Sequence, residues 1–149
     1  MIRRLWLAPA CALLLAAAAC NRDTARDTGT IGDTGTTTTT EAVRVDEIRI
    51  GNSIGADNRV ANESDTFRPN ETIYASIRTA GTAPSATLAA RWTFEDGQVV
   101  SEDTRTIAPT GMSTTEFHIA NPSGWPKGNY TLTVTVDGQS AGTKQFRVE

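Results

Sequence analysis

Gly128-Asn129-Tyr130-Thr131-Leu132-Thr133-Val134-Thr135-Val136-Asp137-Gly138 is the stretch that decides the fold. Tyr130, Leu132, Val134 and Val136 alternate with threonines and an asparagine. Successive side chains of a strand point to opposite faces, so this pattern gives one apolar face and one hydroxyl-bearing face. Aromatic and β-branched residues also suit a pleated, half-buried surface. Asp137-Gly138 follows at once, and Asp-Gly between alternating runs is a hairpin signal. It predicts a partner strand over Lys144 to Val148, with Phe146 and Val148 inward.

The same period of two runs upstream. Val43 and Val45, then Ile48 and Ile50, predict a first strand with an irregularity at Asp46-Glu47. Ile73, Ala75 and Ile77 predict a second. Leu88, Ala90, Trp92 and Phe94 predict a third, turned by Glu95-Asp96-Gly97 into a short strand from Gln98 to Ser101. A weak strand is expected over Thr104 to Ala108, and another over Thr114 to Ala120 with Phe117 and Ile119 inward. No segment carries helical spacing over a useful length. Seven or eight short antiparallel strands separated by turn signals predict an all-β sandwich, each sheet with one wet face.

Trp92 sits mid-strand in the third strand, where immunoglobulin-like domains bury a tryptophan. Gly128-Asn129-Tyr130-Thr131-Leu132 resembles the G-x-Y-x-C start of their strand F, with Leu132 at the place of the second cysteine. The resemblance covers residues 43–149 and implies an immunoglobulin-like or fibronectin-III-like β-sandwich of the kind found in bacterial envelope lipoproteins. Tyr130 is then the corner tyrosine. Pro126 stands where an Asp is usual, two before the glycine. Fold by itself implies no function.

The first 42 residues read differently. Met1-Ile2-Arg3-Arg4 is a short basic region, and Leu5 to Ala19 is an apolar run of about 15 residues. A membrane-spanning helix needs roughly 20, so this is an export signal rather than a span. Leu15-Ala16-Ala17-Ala18-Ala19-Cys20 resembles the lipobox of bacterial lipoproteins, with Ala17 in place of the usual Leu. The resemblance implies cleavage after residue 19, acylation of Cys20, and a palmitate-type membrane anchor in the cell envelope. Two chains hold a protein stably, whereas one does so weakly. Asn21, rather than Asp, after the cysteine favours the outer membrane if the organism has one.

Residues 20–42 form a Thr-rich linker, NRDTARDTGTIGDTGTTTTTEA after the cysteine. So few apolar groups cannot offset the entropy of ordering the backbone, and disorder is expected. Asp27-Thr28-Gly29 and Asp33-Thr34-Gly35 match the aspartic-protease tripeptide but lie six residues apart in a repeat. That chemistry needs two carboxylates about 3 Å apart on rigid strands. Repeat drift explains them.

Charge and composition narrow the function. Net charge is -3, and the folded part carries ten basic against thirteen acidic side chains of mixed order. No nucleic-acid partner is expected; a cationic partner is left open. The two cysteines, Cys11 and Cys20, both precede the folded part, so apolar burial alone holds it together. His118 is the single histidine, on the solvent side of its strand, without a second ligand for zinc or a triad partner. Gly51-Asn52-Ser53-Ile54-Gly55 fits G-x-S-x-G, but no helical spacing follows it and the one histidine reads as exposed, so serine-hydrolase chemistry is not expected.

Glu95, Asp96, Glu102 and Asp103 flank one hairpin. They read as a solvated edge that discourages aggregation before they read as a cation site. Residues 51–70 are expected to be one long polar loop, and such loops are functional, locally folded or mobile. Asn58 and Arg59 in it, and Trp125 and Lys127 in the turn from Asn121 to Gly128, are the candidate partner contacts. Trp125 has two readings, a cap on the core or an exposed anchor.

These features imply a membrane-tethered, non-enzymatic binding or accessory module without cofactor or metal. Its expected partner is another envelope protein, met through loops or a sheet edge; a small-molecule ligand is not expected. The alternative is a structural or pilotin-like subunit of an envelope assembly.

Overall fold

The computed structural model describes residues 40–149. The expected export signal, Cys20 and the expected linker up to residue 39 lie outside the described residues. Nine strands follow: β1 Glu41–Ile54, β2 Val60–Glu63, β3 Thr66–Phe67, β4 Ile73–Thr82, β5 Ala86–Phe94, β6 Gln98–Ile107, β7 Ser113–Ile119, β8 Gly128–Val136 and β9 Gln139–Val148. The first begins two residues ahead of the Val43 boundary read from the sequence.

One sheet runs β2-β1-β4-β7 and the other β3-β9-β8-β5-β6. The pairings are antiparallel except that β3 runs parallel to β9, with Phe67 opposite Val148. The strand of the opening motif lies at the centre of the second sheet: Leu132 is opposite Trp92 on β5 and Lys144 on β9. The inward residues Leu88, Ala90, Trp92, Tyr130, Leu132 and Val134 are all buried, facing Ile73, Ala75, Ile77 and Phe117 of the first sheet. Among the described residues every member of the core lies between Ile50 and Val148, so a fragment over 40–149 contains the core of this sandwich.

One end of the sandwich is closed by aromatic rings. Tyr130 stacks on Phe146 at 5.2 Å, while Trp92 and Phe67 meet Phe146 edge-on at 5.7 and 5.6 Å. Offset and edge-on contacts are the favoured geometries for such pairs. The Tyr130 hydroxyl donates to the Pro126 carbonyl at 2.8 Å. The corner bond therefore forms with proline at that place, because the acceptor is a main-chain carbonyl that any residue supplies.

Three expectations are corrected. Residues 51–70 are not one loop. Gly51 continues β1, and only glycine fits there, because the Asn62 carbonyl passes through the place where a Cβ would stand. That close approach lets β2 pair with Gly51, Ser53 and Ile54 through two register shifts. Farther on, Phe67 is a core residue with 2% exposure. Second, the strands expected over 98–101 and 104–108 are one strand, β6, with a register shift beside Trp92 and Thr93. Third, β9 starts at Gln139 rather than Lys144 and hugs the Asp137-Gly138 turn. The shift expected at Asp46-Glu47 is present, between Val45 and Glu47.

Candidate functional surface

Asn58 and Arg59 occupy the β1–β2 turn. The Gly55 amide donates to the Arg59 carbonyl at 2.8 Å and the Asn58 amide to the Gly55 carbonyl at 3.1 Å. Asn58 takes a left-handed φ of 59°, which asparagine tolerates better than most residues. The hairpin folds back over the outer face of the first sheet. The Val60 amide donates to the buried Ser76 hydroxyl of β4 at 3.2 Å, and the Arg59 guanidinium lies 3.7 Å from Glu47.

An ionic cluster forms beneath that fold. Glu47 receives Arg49 at 2.7 Å and lies 3.6 Å from Arg78. Arg49 also pairs with Glu63 of β2, and Arg78 with Asp46. The hydrogen bond from Arg49 holds the Glu47 carboxyl below its ordinary range, aided against desolvation by the charges of Arg49, Arg78 and Arg59. The same contacts raise Arg49, its bond to Glu47 first. Sequence reading found Arg59 but missed the cluster. Its members come from β1, β2, β4 and the turn, and only the fold-back unites them. The Gly51 signal, an isolated glycine in a strand pattern, could have flagged the close backbone approach.

Trp125 is buried, at 8% exposure. Its indole NH donates to the Glu71 carbonyl at 3.2 Å, its amide to the Pro69 carbonyl at 2.8 Å, and its ring meets Tyr130 at 6.2 Å. It is the cap on the core, one of the two readings above, and is not presented as a surface anchor. Lys127 beside it is exposed. The four candidate residues thus fall into two places. Asn58 and Arg59 lie over the outer face of the first sheet, and Trp125 and Lys127 lie at the aromatic-plugged end.

The remaining candidates are engaged locally. His118 is on the solvent side, its Nδ1 2.7 Å from Glu116 and its ring 5.6 Å from Tyr74. In the acidic hairpin, Glu95 accepts the Asn129 amide at 3.2 Å and Asp96 the Gln98 amide at 2.9 Å. Asp103 lies 3.4 Å from Arg105, and Glu102 lies 3.9 Å from Arg91. Among the described residues no group of three or more His, Cys, Asp or Glu side chains is placed to hold a metal ion.

Two facing sheets, β2-β1-β4-β7 and β3-β9-β8-β5-β6, with Trp92 buried mid-strand in β5 and a corner tyrosine, define an immunoglobulin-like β-sandwich. No family model and no curated protein matches the sequence. Among solved structures, the chain is similar to an immunoglobulin-like protein of Pseudomonas aeruginosa at 16% identity and a TM-score of 0.47, covering 72% of this chain and 97% of that one. It is similar to the CARDB domain of a Pyrococcus furiosus protein at 13% identity and a TM-score of 0.44, covering 74% and 89%. A third likeness is to the Pseudomonas fluorescens alkylpurine DNA glycosylase AlkC, at 15% identity and a TM-score of 0.47. There it covers 72% of this chain but spans only 30% of the glycosylase.

Proposed function

We propose that this protein is a membrane-tethered, non-enzymatic binding module of the bacterial envelope, anchored through acylated Cys20, and that its partner is another envelope protein. The observation that carries the reading is the uneven placement of charge on the sandwich. The chain enters at Glu41, beside Thr82 at the end of β4. The loops at that end, residues 83–85 and 108–112, contain no charged side chain. Charge is gathered instead over the β1–β2 hairpin and at the opposite end, where Arg68, Glu71, Glu95, Asp96, Lys127 and Glu149 stand. A tethered module meets its partner with the surface turned away from its anchor, and polar rims with arginine suit such contacts.

The test places a photo-crosslinking amino acid at Asn58, at Lys127 and at Pro84, in cells making the full chain. Asn58 and Lys127 should yield one discrete crosslinked envelope protein and Pro84 none. Crosslinks to a protein from Pro84 alone, or from no position, would defeat the proposal. Arg59→Glu and Lys127→Glu should weaken the specific crosslink without changing the far-ultraviolet circular dichroism.

A further inference from the structure

The end at which the chain enters has a chemistry of its own. No Asp, Glu, Lys, Arg or His lies between Thr79 and Ala90, between Thr106 and Thr115, or between Gly138 and Thr143. Three charged groups stand nearby, each with a local contact. Glu41 pairs with Arg44 at 3.0 Å, and Asp137 accepts the Thr87 amide at 2.7 Å. Met112 projects from the β6–β7 loop with 66% of its surface exposed, one of two large exposed apolar side chains among the described residues. A groove of about 620 Å3 lies beside the start of β1, floored by Val43, Val45, Val136 and Ala141. A second, more apolar hollow lies among Thr82, Ala83, Pro84, Ala108 and Pro109. Thr40, the first described residue, lines both.

We propose that this end is a lipid-contact surface: the loops 83–85 and 108–112, led by Met112, rest in the headgroup region of the membrane that holds Cys20. The inference rests on the anchoring reading above and adds the orientation of the domain. Nineteen residues lie between Cys20 and Thr40, so this end stays within about 70 Å of the acylated cysteine even at full extension. Tethering at that range keeps the local concentration near the millimolar scale, so a weak contact is enough. Charge points in the same direction, since the loops 83–85 and 108–112 themselves hold no ionic group to be stripped of water when they are seated. A second copy of the chain fits the surface poorly. A stable protein interface buries about 800 Å2 on each partner with several apolar contacts, and this end offers one long apolar side chain. Shallow insertion into a lipid interface asks for no more than that.

Met112 is its own reporter, because the sequence holds only Met1 and Met112 and Met1 precedes the cleavage. The acylated full chain is placed in nanodiscs carrying gadolinium-headgroup lipid, and relaxation is measured at the Met112 methyl, the Thr110 amide and the Gly97 amide. Met112 and Thr110 should relax several-fold faster than Gly97, and Met112→Asp should bring Thr110 down to the Gly97 rate. Equal relaxation at all three probes overturns the proposal. Absence of acyl mass on Cys20 defeats the anchoring reading alone. A second sample, residues 21–149 held by an N-terminal hexahistidine on nickel-chelating lipid, still decides the contact. A concentration-dependent dimer in lipid-free solution that Met112→Asp abolishes, with no lipid effect at Met112, would assign the surface to a second copy and overturn the proposal.

Discussion

Tyr130 joins three parts of the molecule: its ring lies on Phe146, its flank on Phe94 at 4.9 Å, and its hydroxyl on the loop before β8. Tyr130→Phe keeps the packing and loses one hydrogen bond, so it should cost about 1 kcal/mol in urea unfolding. Burial, and then the charge of Glu95, push the tyrosine above its ordinary value of 10.0. A raised acid holds its proton more tightly when folded. The stabilisation is therefore complete below pH 10 and is lost as pH rises through the folded value. Tyr130→Phe should flatten that alkaline decline, read as the unfolding midpoint from pH 9 upward. Trp125→Ala should cost more, about 3 kcal/mol, because it opens a void against Tyr130 and strands the Glu71 carbonyl. A loss below 1 kcal/mol would mean that the indole is not the cap described here.

At the scale of elements, the β1–β2 hairpin and the edge strand β6 show how far the sequence could be read. The central strands β4, β5 and β8 were legible because apolar residues at every second position need only their own alternation to be recognised. The hairpin was not, since Gly51, Asn52 and Ser53 read as turn residues, and their strand conformation depends on Asn62 arriving over Gly51. Phe67 was hidden in the same way, by a two-residue strand paired to the far end of the chain. The candidate contacts were legible as residues but not as a surface, because the fold alone carries Arg59 to Glu47 and turns Trp125 inward. The hairpin has an acid signature. Glu47 is held below its ordinary 4.5, so its contribution is whole above that pH and vanishes as pH falls through the lower folded value. The Val60 amide shift should move in that acid range, and Glu47→Gln should abolish the movement.

The β6 edge supplies a separate test. Asp103 and Arg105 lie opposite the buried Ala90 and Leu88, so they share the inward face, and the Arg105 guanidinium covers the Phe117 ring at 5.3 Å. Charges pointing inward on an edge strand block the addition of a further strand. Asp103→Val with Arg105→Val should raise self-association above that of the unsubstituted chain, detected by light scattering at unchanged circular dichroism.

At the scale of the whole molecule, charge is spread unevenly along the sandwich, and under the anchoring proposed above the point of attachment would set which end meets a partner. Glu41 and Thr82 mark one end, Val148 and Gly128 the other; the first is poor in charge, the second rich. Moving the anchor therefore separates fold from display. A chain secreted without Cys20 and attached to lipid beyond Glu149 keeps every core residue and every strand pairing, so its unfolding midpoint should match that of the native arrangement. Its charged end would now face the bilayer, and Lys127 would be shielded while Met112 points outward. If partner binding depends on the charged end, the crosslink from Lys127 should fall to background in the inverted chain. The crosslink from Asn58, on the flank of the first sheet, should fall only in part. Retention of both crosslinks at full yield would show that the domain tumbles freely on its tether and that orientation contributes nothing to recognition.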